Sequence, residues 1–173
     1  MKQLISPLRS RDIKLFYLIN NNLQCSSFDL IMPKITHLGS GLFLSLTIVL
    51  LILFSENKLK VIAWEALLVL GVTTLTVQFL KRLIARNRPF YSLKNVNKLT
   101  YTFSIYSFPS GHSAAIFSLA TVIYNNSLII GVFAYFIALI VGFSRTYLGV
   151  HYPSDIIVGA LLGISLSIII YFF

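Results

Sequence analysis

Long apolar runs separated by short polar interruptions dominate this chain. Five of them, residues 38–54, 61–80, 111–124, 127–143 and 153–173, approach or exceed the ~17 residues at which a bilayer crossing becomes possible. None shows the two-residue alternation of a barrel strand, and helices and closed barrels are the structures that satisfy their backbone in lipid. The pattern predicts an all-α integral membrane helix bundle of about five transmembrane helices. Ahead of it, residues 13–23 hold enough apolar side chains for a helix, interrupted by Asn20, Asn21 and Asn22. An N-terminal interfacial helix is expected there, with a sixth span within 11–37 as the alternative. The expected organisation is an interfacial segment, 1–37, followed by a membrane-embedded core, 38–173.

The third run is the shortest. Its fourteen residues rise about 21 Å, against a hydrocarbon thickness of ~30 Å. Its start is therefore expected below the membrane surface, in a recess. In the fifth run Gly159, Gly163 and Ser167 form a row of small residues that invites close approach of another helix. If the runs alternate in direction, segments 1–37, 81–110 and 144–152 share one face. The turns at 55–60 and 125–126 share the other. Every polar cluster of interest falls on the first face, from three separate segments.

Composition supports lipid as the main solvent. Hydrophobic residues make up 57% of the chain and charged residues 11%, against ~25% charged in a usual soluble domain. Cys25 is the single cysteine, which excludes an intrachain disulfide or a cysteine-built metal site, and a buried thiol is expected. Fourteen Lys and Arg against 5 Asp and Glu give a formal charge of +9. Such an excess suits loops lying on anionic headgroups, or an anionic substrate. The basic residues form no dense tract, so no nucleic-acid partner is expected. Residues 1–7 lack the apolar core of a cleavable signal peptide, and targeting is expected to rest on the first span.

Three polar clusters carry the candidate chemistry. In 81–89, Lys81 and Arg88 stand seven apart, so a helix continuing to Arg88 would place both on one face, with Pro89 ending it. Arg82 and Arg86 would point elsewhere, towards headgroups. In 109–112, Ser110 can cap the third helix, and Gly111 lets a ligand approach its free N–H groups, an anion site with His112 within reach. In 144–155, Arg145 offers a planar donor fork for phosphate. Pro153 suits the first position of the fifth helix. His151 then lies just before that helix and Asp155 in its first turn, from which the carboxylate can reach one imidazole nitrogen and leave the other free to attack. His37 is expected to be an interfacial structural residue. Glu65 is expected near the opposite interface, and Gln78 is placed to support Lys81. Segment 90–108, with Tyr91, Lys94, Lys98, Tyr101 and Tyr106, is the expected contributor to headgroup selection.

These clusters read K-x6-R-P at 81–89, P-S-G-H at 109–112 and S-R-x5-H-x3-D at 144–155. In this order and without substitution they resemble the type 2 phosphatidic acid phosphatase family, which shares its site with vanadium haloperoxidases. The resemblance covers 81–155 and the surrounding helices, and no motif in 1–37. It implies a membrane lipid phosphatase in which His151 is the nucleophile that forms a phosphohistidine and Asp155 orients it. His112 would protonate the leaving oxygen and then activate water. Lys81, Arg88 and Arg145 would bind the phosphate oxygens, with backbone N–H groups of Ser110 and Gly111. It implies no metal and no cofactor. The implied substrates are lipid phosphates or diphosphates, namely undecaprenyl diphosphate, phosphatidylglycerophosphate or phosphatidic acid, with a polyprenyl diphosphate ranked first.

The rival reading is a non-catalytic anion- or lipid-phosphate-binding membrane protein, or a transporter; cations alone would serve it, without a histidine pair. The expected location is the cell membrane, as a multi-pass protein. All Lys and Arg except Lys58 and Lys60 lie on the shared face, which the positive-inside rule assigns to the cytoplasm. Basic residues serving an anionic lipid enter the same count, so the side of the site and the oligomeric state stay open.

Overall fold

The computed structural model describes residues 2–102 and 104–173. The chain forms α1 (Lys2–Tyr17), a π-turn (Leu18–Asn22), α2 (Ser26–Ile35), a 3-10 turn (Thr36–Gly39), α3 (Gly41–Phe54), α4 (Asn57–Ile84), the short α5 (Pro89–Ser92), α6 (Gly111–Asn126), α7 (Leu128–Tyr147) and α8 (Pro153–Phe172). No strand occurs among the described residues; Asn87 and Tyr106 form an isolated bridge.

Three helices, α4, α7 and α8, are long and apolar enough to cross a membrane. A fourth candidate is the broken pair Ser26–Gly39 and Gly41–Phe54, bent by 52°. Their outward surfaces are apolar, as at Leu75 (73% exposed) and Phe133 (66%), a coat suited to hydrocarbon and not to water. The helix at the third run has 16 residues and lies in the interior: from Ser113 to Val122 all but Ile116 is buried. A helix buried on all sides is the centre of a bundle, not its edge.

The small-residue row explains how α6 becomes central. Asp155, Gly159, Gly163 and Ser167 are the buried positions of α8, one per turn. A Cβ at Gly159 would stand 2.5 Å from the Ser110 carbonyl oxygen, and one at Gly163 would collide with the Ala114 carbonyl. The α8 and α6 backbones therefore touch. That contact brings the start of α8 beside the start of α6, where the Ser110 N–H donates to the Asp155 carbonyl at 2.9 Å. On the other flank of α6, Leu44, Ile48, Val69, Leu70 and Val122 close the core towards α3 and α4.

Residues 12–36 stay at one end of the bundle. Asp12 bonds Ser154 and Arg86; Asn20 donates to the carbonyls of Asn97 (2.9 Å) and Tyr147 (2.7 Å); Thr36 bonds Arg145. Each partner belongs to the face predicted to carry the site, so this segment returns to where it began and does not add a sixth span. The asparagines expected to interrupt a helix form the π-turn, and Asn20 is buried as a clamp between two loops. Cys25, expected to be buried, is exposed at the head of α2. Its N–H is what the fold uses, donating to the Tyr147 hydroxyl at 3.2 Å.

Candidate active site

At that same end lies a cavity of about 430 Å³. Lys81, Arg88, Gly111, His112, Arg145 and His151 line it, so all three motifs meet in one space. Their side chains are largely withdrawn from solvent: Lys81 is 6% exposed, Arg88 3%, Arg145 4% and His151 1%. Three cations gathered in so little solvent repel one another and lack hydration, an arrangement that an anion would relieve.

Lys81 occupies the last turn of α4 and donates from Nζ to the Tyr106 carbonyl at 2.9 Å. The helix does not continue to Arg88, as the seven-residue spacing suggested. It stops at Ile84 because Ala85 turns left-handed (φ 47°), with its N–H closing on the Lys81 carbonyl. Arg88 is extended (φ −71°, ψ 155°), as a residue before proline should be, and heads α5. It reaches the cavity from a loop, donating to the carbonyls of Ser104 (2.7 Å) and Val150 (2.9 Å). Arg145 lies in the last turn of α7, not in the loop after it. Its Nη1 donates to the Thr36 hydroxyl at 2.6 Å, while its buried Nε has no protein partner.

His151 presents Nε2 to Arg88 Nη1 at 3.3 Å. With the guanidinium as donor, Nε2 must hold a lone pair. Burial, then the charges of Arg145, Arg88 and Lys81, hold the imidazole well below its ordinary pKa, so the ring is neutral. Its Nδ1 stands 3.6 Å from Asp155 Oδ2, close enough for charge to act but longer than a hydrogen bond. That oxygen accepts the Tyr152 N–H at 2.9 Å. Gly149 adopts φ 77°, and a Cβ there would stand 2.5 Å from the Asn97 carbonyl oxygen; a glycine lets the 148–152 loop pass under the 93–99 segment.

Ser110 caps α6, accepting from the Ser113 N–H at 3.4 Å and the Ser113 hydroxyl at 2.9 Å. Its own N–H is committed to Asp155, so of the two N–H groups expected for phosphate only that of Gly111 belongs to a residue lining the cavity. His112, half-buried, sits one residue into the helix.

Arg86 departs most from expectation. Instead of meeting headgroups it donates to Asp155 Oδ1 (2.7 Å), Asp12 Oδ2 (2.7 Å) and Ser154 Oγ (2.8 Å). Its guanidinium lies 3.9 Å from the centroid of the Tyr152 ring. No local pattern signals this, since Asp12 is 74 residues away in sequence. Thr36, His37 and Gln78 also line the cavity, as do Thr100, Tyr101, Thr102 and Ser104 of the segment assigned to headgroup selection. Among the described residues no group of three or more His, Cys, Asp or Glu side chains gathers in metal-binding geometry.

An apolar helix bundle with a buried, cationic, histidine-bearing pocket at one end defines a membrane protein built to handle an anion. The chain belongs to the PAP2 superfamily, whose model matches residues 62–173. It is 33% identical over 129 residues to a bacitracin transport permease protein, BcrC, of Bacillus licheniformis, covering 75% of this chain and 64% of that one. It is likewise 33% identical to phosphatidylglycerophosphatase B of Bacillus subtilis (81% and 72% covered) and 31% identical to an undecaprenyl-diphosphatase of Sulfolobus acidocaldarius (90% and 75%). Among solved structures it resembles Aquifex aeolicus LpxE, with TM-score 0.82, 34% identity and coverage of 93% and 94%. It also resembles a PAP2-type phosphatidylglycerolphosphate phosphatase from Bacillus subtilis, with TM-score 0.82, 28% identity and coverage of 96% and 86%. The chain thus falls within a family of membrane lipid phosphatases.

Proposed function

We propose that this protein hydrolyses a lipid phosphate or diphosphate through a phosphohistidine at His151. The observation that carries the reading is the neutral Nε2 of His151, 3.3 Å from Arg88, in one cavity with Lys81, Arg145 and His112. In the first step Nε2 attacks phosphorus as the bond to the leaving oxygen breaks. A proton carried in on the bound phosphate passes through His112 to that oxygen. The phosphorylated ring of His151 becomes cationic, and the Asp155 carboxylate beside Nδ1 offsets that charge. In the second step water attacks phosphorus, its proton passes through His112 to the departing phosphate, and the P–N bond breaks to restore both histidines. Lys81, Arg88 and Arg145 neutralise the oxygens throughout, with the Gly111 N–H; positioning and charge stabilisation supply most of the rate. Ser110 contributes by capping α6 and fixing it to Asp155.

The named relatives make undecaprenyl diphosphate and phosphatidylglycerophosphate the first substrates to test, with phosphatidic acid beside them. A polyprenyl diphosphate ranks first, and the reaction needs no metal or cofactor. The test is phosphate release by purified protein from this panel, with and without EDTA, and with His151→Ala. We expect release unaffected by EDTA and abolished in His151→Ala. Activity surviving in His151→Ala, or lost in EDTA, would defeat the mechanism. The transport name of one relative keeps a second reading in view, an anion- or lipid-phosphate-binding transporter. That reading expects no phosphate release from any substrate and only weaker anion binding in His151→Ala.

A further inference from the structure

We infer that Arg86, fixed in place by Asp12 of the N-terminal helix, is a positioning residue that keeps the Asp155 carboxylate charged and turned towards His151. The inference rests on reading His151 as the nucleophile. Asp155 is completely buried, where an isolated carboxylate would be expelled or would take up a proton. Among the described residues its only ionic partner within 4 Å, apart from His151, is Arg86 at 2.7 Å on Oδ1. Oδ2 takes the Tyr152 N–H and faces Nδ1 of His151. When Nε2 accepts a phosphoryl group the imidazole becomes cationic, and a neutral Asp155 could not compensate it.

Arg86 is itself held on every side. Asp12 Oδ2 binds it at 2.7 Å, Ser154 Oγ at 2.8 Å, and the Tyr152 ring lies against its plane. Asp12 also accepts the Ser154 N–H at 3.0 Å and its hydroxyl at 2.6 Å, tying α1 to the first turn of α8. Asp12 lies outside the residues matched by the family model, and Arg86 is not one of the fixed positions of the three motifs. The charged and titratable groups around Asp155 are Arg86 and, behind it, Asp12 and Arg9; His151 and Tyr152 beside it; and Lys81 and Arg88 on the cavity side.

The test is kcat and KM against pH for the wild type, Arg86→Gln, Arg86→Lys and Asp12→Asn, with His151→Ala as control, on whichever lipid phosphate the wild type cleaves best. Arg86→Gln should lower kcat roughly 10²-fold near neutral pH with KM little changed. Its acid limb should move to higher pH, because Asp155 no longer stays charged unaided. Arg86→Lys should restore the limb and part of kcat. Asp12→Asn takes from Arg86 the carboxylate oxygen that fixes it, so its acid limb should move in the same direction as in Arg86→Gln, by less. A merely structural role would depress activity with the wild-type pH profile, and that result would overturn the proposal. If Arg86→Gln does not fold, Asp12→Asn decides: an unmoved or lowered limb refutes the inference. A wild type that releases no phosphate, or an active His151→Ala, would instead refute the underlying mechanism.

Discussion

At the scale of single residues, His151 concentrates the most physics. Its folded-state pKa lies well below its ordinary value of 6.5, through burial first and neighbouring cations second. The sign follows from linkage. Above about pH 6.5 the ring is neutral folded or unfolded and adds no pH dependence; below it the unfolded chain takes up a proton that the folded one refuses, so stability falls. Unfolding in detergent should therefore show the wild type losing stability relative to His151→Gln between pH 7.5 and pH 5. A constant difference between the two would contradict the buried neutral state. That Lys81, Arg88, His112, Arg145 and His151 share one cavity was legible in the sequence, because three clusters of residues suited to an anion fall on one face. Arg86 was not, since its meaning lies in Asp12 and Asp155, 74 and 69 residues away.

At the scale of elements, apolar patterning located α3, α4, α6, α7 and α8, but not α2 (Ser26–Ile35), and α1 spans Lys2–Tyr17 where a helix over 13–23 was expected. The expected helical face shared by Lys81 and Arg88 failed because one residue, Ala85, turns left-handed, a choice that periodicity does not record. The row Gly159, Gly163, Ser167 was legible as a packing surface, and the structure gives it a second task. By letting α8 touch α6 it sets the distance between the His151 loop and the His112 helix. Gly163→Ala should cost about 1–3 kcal/mol, the range for overpacking, because its Cβ meets the Ala114 carbonyl. Gly71→Ala in α4, whose Cβ would meet nothing within 4 Å, should be neutral or stabilising. Thermal unfolding of the two variants checks this, and equal effects would mean that the α6–α8 contact is not close-packed.

At the scale of the whole molecule, the bundle separates an apolar body from one polar end. The shortest run becomes α6, which is buried among α4, α7 and α8 with its start lining the cavity. Residues 12–36 were the least legible part, because they brace loops that lie far away in sequence. They keep Cys25 at the site's end of the bundle, exposed. In sealed vesicles, a membrane-impermeant maleimide should label Cys25 from one side, and Lys58→Cys in a Cys25→Ser background from the other. The same labelling identifies the side on which the site opens. Labelling of both from one side would contradict the topology. The central claim is covalent chemistry at His151, and the direct measurement is mass spectrometry of protein quenched in alkali during turnover of a lipid phosphate. We expect a phosphoryl group on the peptide containing His151, absent from His151→Ala. Turnover without that adduct at any time after mixing, or continuing in His151→Ala, would contradict the account.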